Sequence, residues 1–114
     1  MNLKEIIDLL DLETLTDPKD FSTINPTFGY ASDLLSCVMA GAQHGGIWVT
    51  LQSHINIVAV AALLELSAVI ITENSRPDSA TISKANAEGI TLLLTPKSTF
   101  SICGRLWEMG MRTQ

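Results

Sequence analysis

The sequence predicts an α/β domain: a three-layer sandwich in which a mainly parallel sheet is flanked by helices on both faces. Two observations lead there. Short apolar runs at 47–51, 68–72 and 91–94 have the length and continuity of buried parallel strands. Segments with apolar residues at helical spacing alternate with them, joined by short stretches of capping and turn residues. With 114 residues there is room for one core, so 1–114 reads as a single domain.

Leu3, Ile6, Ile7 and Leu10 fall at helical spacing behind Asn2, a suitable N-cap. Leu12, Thr14 and Thr16 suggest a short strand that stops at Asp17-Pro18. Residues 21–27 are polar and broken by Pro26, a loop or weak edge strand. Ser32 is positioned to cap a helix reaching Ala40 and ending at Gly41. Gly45-Gly46 turns the chain into the strand Ile47–Leu51, and a helix is expected from Ser53 to about Leu66. After the strand Ala68–Thr72, Asp78 or Ser79 starts a helix through Glu88, with Gly89 as its C′ residue. The strand Thr91–Leu94 stops at Pro96, and Ser98 caps a last helix reaching Met109.

Composition removes several function classes. The net charge is −5, and the seven basic residues are dispersed rather than clustered, which argues against a nucleic-acid partner. Cys37 and Cys103 lie far apart among apolar neighbours and read as buried, reduced thiols. The apolar stretch 55–71 contains Asn56 and Glu65 and changes from helical to β-branched character, so a helix and a strand are expected, not a membrane span. The N-terminus lacks the features of a signal peptide, and a cytoplasmic location is the expectation.

Within Ile55–Leu64 the only polar residue is Asn56. A helix that packs on a sheet ordinarily keeps a polar stripe towards water. Either this one is wedged between the sheet and another helix, or its outer face is an interface. The second reading is preferred, and it predicts a homodimer through this helix. The last helix, with Phe100, Ile102, Cys103, Leu106, Trp107 and Met109, is also broadly apolar and could contribute.

Catalytic signatures are sparse. There is no GxxxxGK[ST], no GxGxxG and no GxSxG, and His44 and His54 have no carboxylate at metal-ligand spacing. No metal or cofactor is expected. A nucleophilic set of Ser32 or Ser36 with Asp33 and His54 is conceivable, although helix capping already explains Ser32 and Asp33. In a parallel sheet, ligands bind beyond the carboxyl ends of the strands. The polar residues there are Thr50, Gln52, Ser53 and His54; Thr72, Glu73 and Asn74; and Thr95, Ser98 and Thr99. Thr50, Gln52, His54, Thr72, Asn74 and Thr95 are the candidate ligand contacts, unless these groups only cap helices and turns.

Four segments carry a family resemblance: GYASDLLSCVMAGA, WVTLQSHINIVAVA, AVIITENSRPD and ANAEGITLLLTPKSTF. From Gly29 to Gly110 the chain resembles the DRTGG domain, a module similar in fold to the N-terminal domain of HPr kinase/phosphorylase. Where the family pattern has Asp-Arg, this chain has Ser53-His54; where it has Thr-Gly-Gly, this chain has Thr72-Glu73-Asn74. The resemblance implies a regulatory, non-catalytic, homodimeric module that senses a small ligand, an adenine nucleotide being one class, or docks on a partner enzyme. A kinase activity would need the phosphate-binding loop that the sequence lacks. The contrasting expectation is a small enzyme built on Ser32, Asp33 and His54.

Overall fold

The computed structural model describes residues 1–113. Its strands are β1 (Glu13–Thr14), β2 (Gly29–Ala31), β3 (Ile47–Thr50), β4 (Ala68–Ile71) and β5 (Leu92–Leu94). Its helices are α1 (Leu3–Leu10), α2 (Leu35–Gly41), α3 (Asn56–Leu63), α4 (Ser79–Glu88) and α5 (Thr99–Glu108). The five strands form one sheet in the order β1-β5-β4-β3-β2. The four strands β2 to β5 are parallel, and β1 is antiparallel to β5 at the edge. The predicted three-layer α/β architecture is the one observed.

Each central strand feeds two cores, because successive side chains point to opposite faces. Trp48, Val69, Ile71, Leu92 and Leu94 pack with Val38 of α2, Ile57, Val58, Val60 and Ala61 of α3, and Ala85 of α4. Ile47, Val49, Ala68, Ile70 and Leu93 pack with Leu3, Ile6 and Leu10 of α1 and Ile102 and Leu106 of α5. The crossover helices α2, α3 and α4 thus share one face, and α1 and α5 cover the other.

The expected helix starts hold at three places. Asn2 forms a capping box with Glu5, Asp78 accepts from the Thr81 N–H, and Ser98 accepts from the Ser101 N–H. Gly89, at φ 71°, ends α4 in the left-handed region. Other boundaries moved. Ser32 does not cap α2: the helix starts at Leu35, and the Ser32 hydroxyl accepts from the Leu34 N–H. Helix α3 begins at Asn56 rather than Ser53, because the preceding residues form side-chain-bonded turns. Strand β1 is only two residues long, and beyond it the Thr16 hydroxyl accepts from the Leu92 N–H.

Two expectations are corrected. Helix α3 is not bare: Ile57, Val58 and Ala61 are fully buried, since α2 and α4 flank it and the sheet lies beneath. Only Asn56, Ala59 and Leu63 of that helix are exposed, so the all-round apolar character is explained within the chain. Cys37 is exposed, because Val38 beside it takes the inward position on α2. Cys103 is half-buried, burial raises its thiol pKa, and both cysteines are free. Among the described residues, no helix is long and apolar enough to cross a membrane.

Candidate functional site

The carboxyl ends of β3, β4 and β5 lie together, and the residues after them do three different things. At the end of β3, the Thr50 hydroxyl donates to Asp33 Oδ1 (2.8 Å), and the Leu51 N–H donates to the same oxygen (2.9 Å). The Gln52 N–H in turn donates to Thr50 Oγ1 (3.0 Å). This set ties the loop after β2 to the end of β3. It spends Asp33 and Thr50 on backbone geometry.

At the ends of β4 and β5, the Thr72 and Thr99 hydroxyls share a hydrogen bond of 2.6 Å. The Thr99 N–H donates to Glu73 Oε2 (3.0 Å), so Glu73 reaches the first turn of α5. The Thr95 hydroxyl accepts from the Lys97 N–H (3.2 Å), and the Asn74 N–H donates to the Thr95 carbonyl (3.0 Å). Thr50, Thr72 and Thr95 are all buried, whereas Glu73 and Asn74 are exposed.

The third grouping is a polar cleft of about 440 Å³ between the starts of α3 and α4. Gln52, Ser53, His54, Arg76, Asp78 and Thr81 line it, with Ile55 as its apolar wall. The turn leading into α3 is organised by its own side chains. Gln52 Oε1 accepts from the His54 N–H (3.2 Å), and His54 Nδ1 accepts from the Asn56 N–H (3.1 Å). That second bond assigns the His54 proton to Nε2 when the ring is neutral. Ser53 and Ser75 share a hydrogen bond of 3.2 Å that links the two loops across the sheet end.

Asp78 Oδ1 accepts from both the N–H and the hydroxyl of Thr81 (2.9 and 2.8 Å). Those bonds, with a smaller contribution from nearby His54, hold its carboxyl below the ordinary carboxylate range. Arg76 extends over the outer side and pairs with Glu13 at 2.8 Å, both side chains about half exposed. The cleft therefore offers a guanidinium, an imidazole, an amide and hydroxyls, together with one carboxylate, Asp78, whose Oδ1 is engaged by Thr81.

Of the six sequence-predicted contacts, Gln52 and His54 line this cleft. Thr50, Thr72 and Thr95 lie beneath the rim with their hydroxyls in internal hydrogen bonds, and Asn74 is at an exposed turn. Arg76, Asp78 and Thr81 were not expected as cleft residues. The signal was present in part: Arg76 is the lone basic residue between β4 and α4, just past a strand end. Ser32, Asp33 and His54 share no hydrogen bond, each being bonded instead to neighbouring backbone or to Thr50. Among the described residues, no group of three His, Cys, Asp or Glu side chains could hold a metal ion.

No family model matches this sequence, and no curated protein does. A solved structure does: the CBS and DRTGG domains of the regulatory region of Clostridium perfringens pyrophosphatase, complexed with the activator diadenosine tetraphosphate. The match has a TM-score of 0.74 at 21% identity and covers 90% of this chain. This chain has a DRTGG-type fold. It spans 44% of the length of that regulatory region.

One feature of the β4 loop fits the sequence resemblance. Glu73 and Asn74 stand where the resemblance places two glycines, and both have positive φ, 59° and 55°. The backbone here takes a left-handed double turn that glycine adopts without strain. Asn tolerates that region better than most residues. Glu73 is held there by its bond to the start of α5.

Proposed function

We propose that this chain is a non-catalytic regulatory module that senses a small anionic ligand, with adenine nucleotides as the ligand class, and that it acts as a homodimer. The observation that carries the reading is the cleft between the starts of α3 and α4. Its position beyond the carboxyl ends of parallel strands is where such sheets bind ligands. Arg76 supplies a forked donor suited to phosphate, and His54 Nε2 supplies a second donor. The Arg76–Glu13 pair is exposed, so it contributes little to stability and can be exchanged for a ligand phosphate. The buried threonines Thr50, Thr72 and Thr95 hold the rim loops in place rather than touching the ligand.

The fold and the neighbour's regulatory role support regulation over catalysis, as does the separate engagement of Ser32, Asp33 and His54. The test is a thermal-shift measurement with AMP, ATP, diadenosine tetraphosphate and inorganic phosphate. A ligand at a hundred times its Kd adds about 2.7 kcal/mol to native stability. For a domain of this size that is a rise in Tm of roughly 10 °C or more. Arg76→Ala with His54→Ala is expected to abolish the shift, with the unliganded Tm lowered only by the roughly 1 kcal/mol that losing the His54–Asn56 bond costs. A shift from none of the four probes refutes the reading, and a shift that survives the double substitution removes the site from this cleft.

A further inference from the structure

We infer that a second copy of this chain docks on the face formed by α5 and the edge strand β2, the Phe100 side chain of each copy entering an apolar groove of the other. The inference rests on the homodimer proposed above and assigns its surface, away from α3.

Helix α5 has two apolar sides. Ile102 and Leu106 are buried against the sheet. On the opposite side Phe100 is 91% exposed and Trp107 is 54% exposed. With 3.6 residues per turn, Phe100, Gly104 and Trp107 follow one another along the outer face. Beside this stripe the sheet face at β2 is left uncovered, and a groove of about 300 Å³ opens between α5 and the segment after it, which pairs with the β2 edge through Phe28 and Arg112. Ala31, Val49, Cys103, Leu106, Trp107 and Met111 line it. The Arg112 guanidinium lies over the Trp107 ring at 4.2 Å, adding a flat wall to the groove.

The occupant that fits is a copy of the chain itself, because projection and groove lie on one face. An antiparallel pairing of two α5 helices about a two-fold axis near Gly104 places Phe100 of one copy beside Trp107 and Met111 of the other. Contacts of that kind are reciprocal, as an isologous interface requires. Gly104 has open space around its missing side chain, so the two helices can approach closely at the axis. The same arrangement brings Lys97, just before α5, near Glu108 of the other copy. Both are exposed, and neither has an ion-pair partner among the described residues.

The area is consistent with a pair that forms reversibly. An aromatic side chain buries about 150–250 Å². The exposed fractions of Phe100 and Trp107 from two copies then supply roughly 600 Å² of the roughly 1,000 Å² expected of a specific interface. The groove walls and the helix backbones at Gly104 supply the rest.

Sedimentation velocity of the unaltered chain, from about 1 to 100 μM, reads the pairing directly; dimer is expected at the upper end, with dissociation on dilution. Tryptophan emission should move to the red as it dissociates, since Trp48 is fully buried and Trp107 is the one uncovered. Phe100→Asp is expected to give monomer throughout, with an unchanged far-ultraviolet circular dichroism spectrum, and Leu63→Asp on α3 to leave the dimer intact. A monomer at 100 μM for the unaltered chain overturns the pairing itself, without touching the ligand shift that tests the cleft. A dimer that persists in Phe100→Asp, or that Leu63→Asp dissociates, overturns only the placement on α5.

Discussion

Glu73 and Asn74 are the residues where local conformation and side-chain chemistry pull in different directions. Their φ values of 59° and 55° belong to a region where a residue with a Cβ is disfavoured by about 1–2 kcal/mol. Glu73 offsets part of that cost through the hydrogen bond from the Thr99 N–H to its carboxylate, which satisfies a free donor at the start of α5. Two substitutions separate the effects. Glu73→Ala removes the bond and keeps the strain; Glu73→Gly removes the bond and relieves the strain. The glycine variant is expected to be more stable than the alanine variant by about 1 kcal/mol, measured by urea unfolding. Equal stabilities would mean that the loop relaxes out of the left-handed region once the carboxylate is gone.

At the scale of single elements, α3 shows what sequence periodicity conveys and what it omits. Its composition correctly marks a helix of unusual apolarity, and the sequence identifies the strands on either side of it. What the sequence does not convey is that α2 and α4 lie against its flanks, because that depends on the order of strands in the sheet. Val58, in the middle of the helix, is fully buried, whereas Leu63 is 61% exposed. An aspartate at Val58 would place a carboxylate in the core with no partner, at a cost of several kcal/mol out of a total stability of roughly 5–15 kcal/mol. Val58→Asp is therefore expected to yield an unfolded or aggregated chain, and Leu63→Asp a folded one with its Tm lowered by no more than a few degrees. Circular dichroism of the two variants distinguishes these outcomes, and a folded Val58→Asp chain would mean that the packing of α3 is wrong.

The whole molecule was legible in the sequence wherever an element was long enough to show a pattern. The three core strands and all five helices were visible from apolar runs and caps. Strand β2 was not, since Gly29-Tyr30-Ala31 is too short to display alternation and is recognisable only by its pairing with β3. The cleft was half legible for a similar reason. Gln52 and His54 follow a visible strand, but Arg76, Asp78 and Thr81 join them only because the β4–α4 loop folds back beside Ser53.

The sheet that brings these loops together is also what makes the domain one cooperative unit. Adjacent residues of β3 serve opposite cores, Trp48 on the α2–α3–α4 side and Val49 on the α1–α5 side, so neither core can dissolve while the other keeps its strands. Ile102→Ala, which truncates a fully buried side chain on the α5 side, tests this coupling. It is expected to cost about 2–5 kcal/mol. In a Trp107→Phe background the loss should appear as a single transition shifted to lower denaturant, the same by far-ultraviolet circular dichroism as by Trp48 fluorescence, although Trp48 lies in the opposite core. Two separated transitions, with Trp48 staying buried after the α5 side has unfolded, would show that the layers are independent and that the sheet does not couple them.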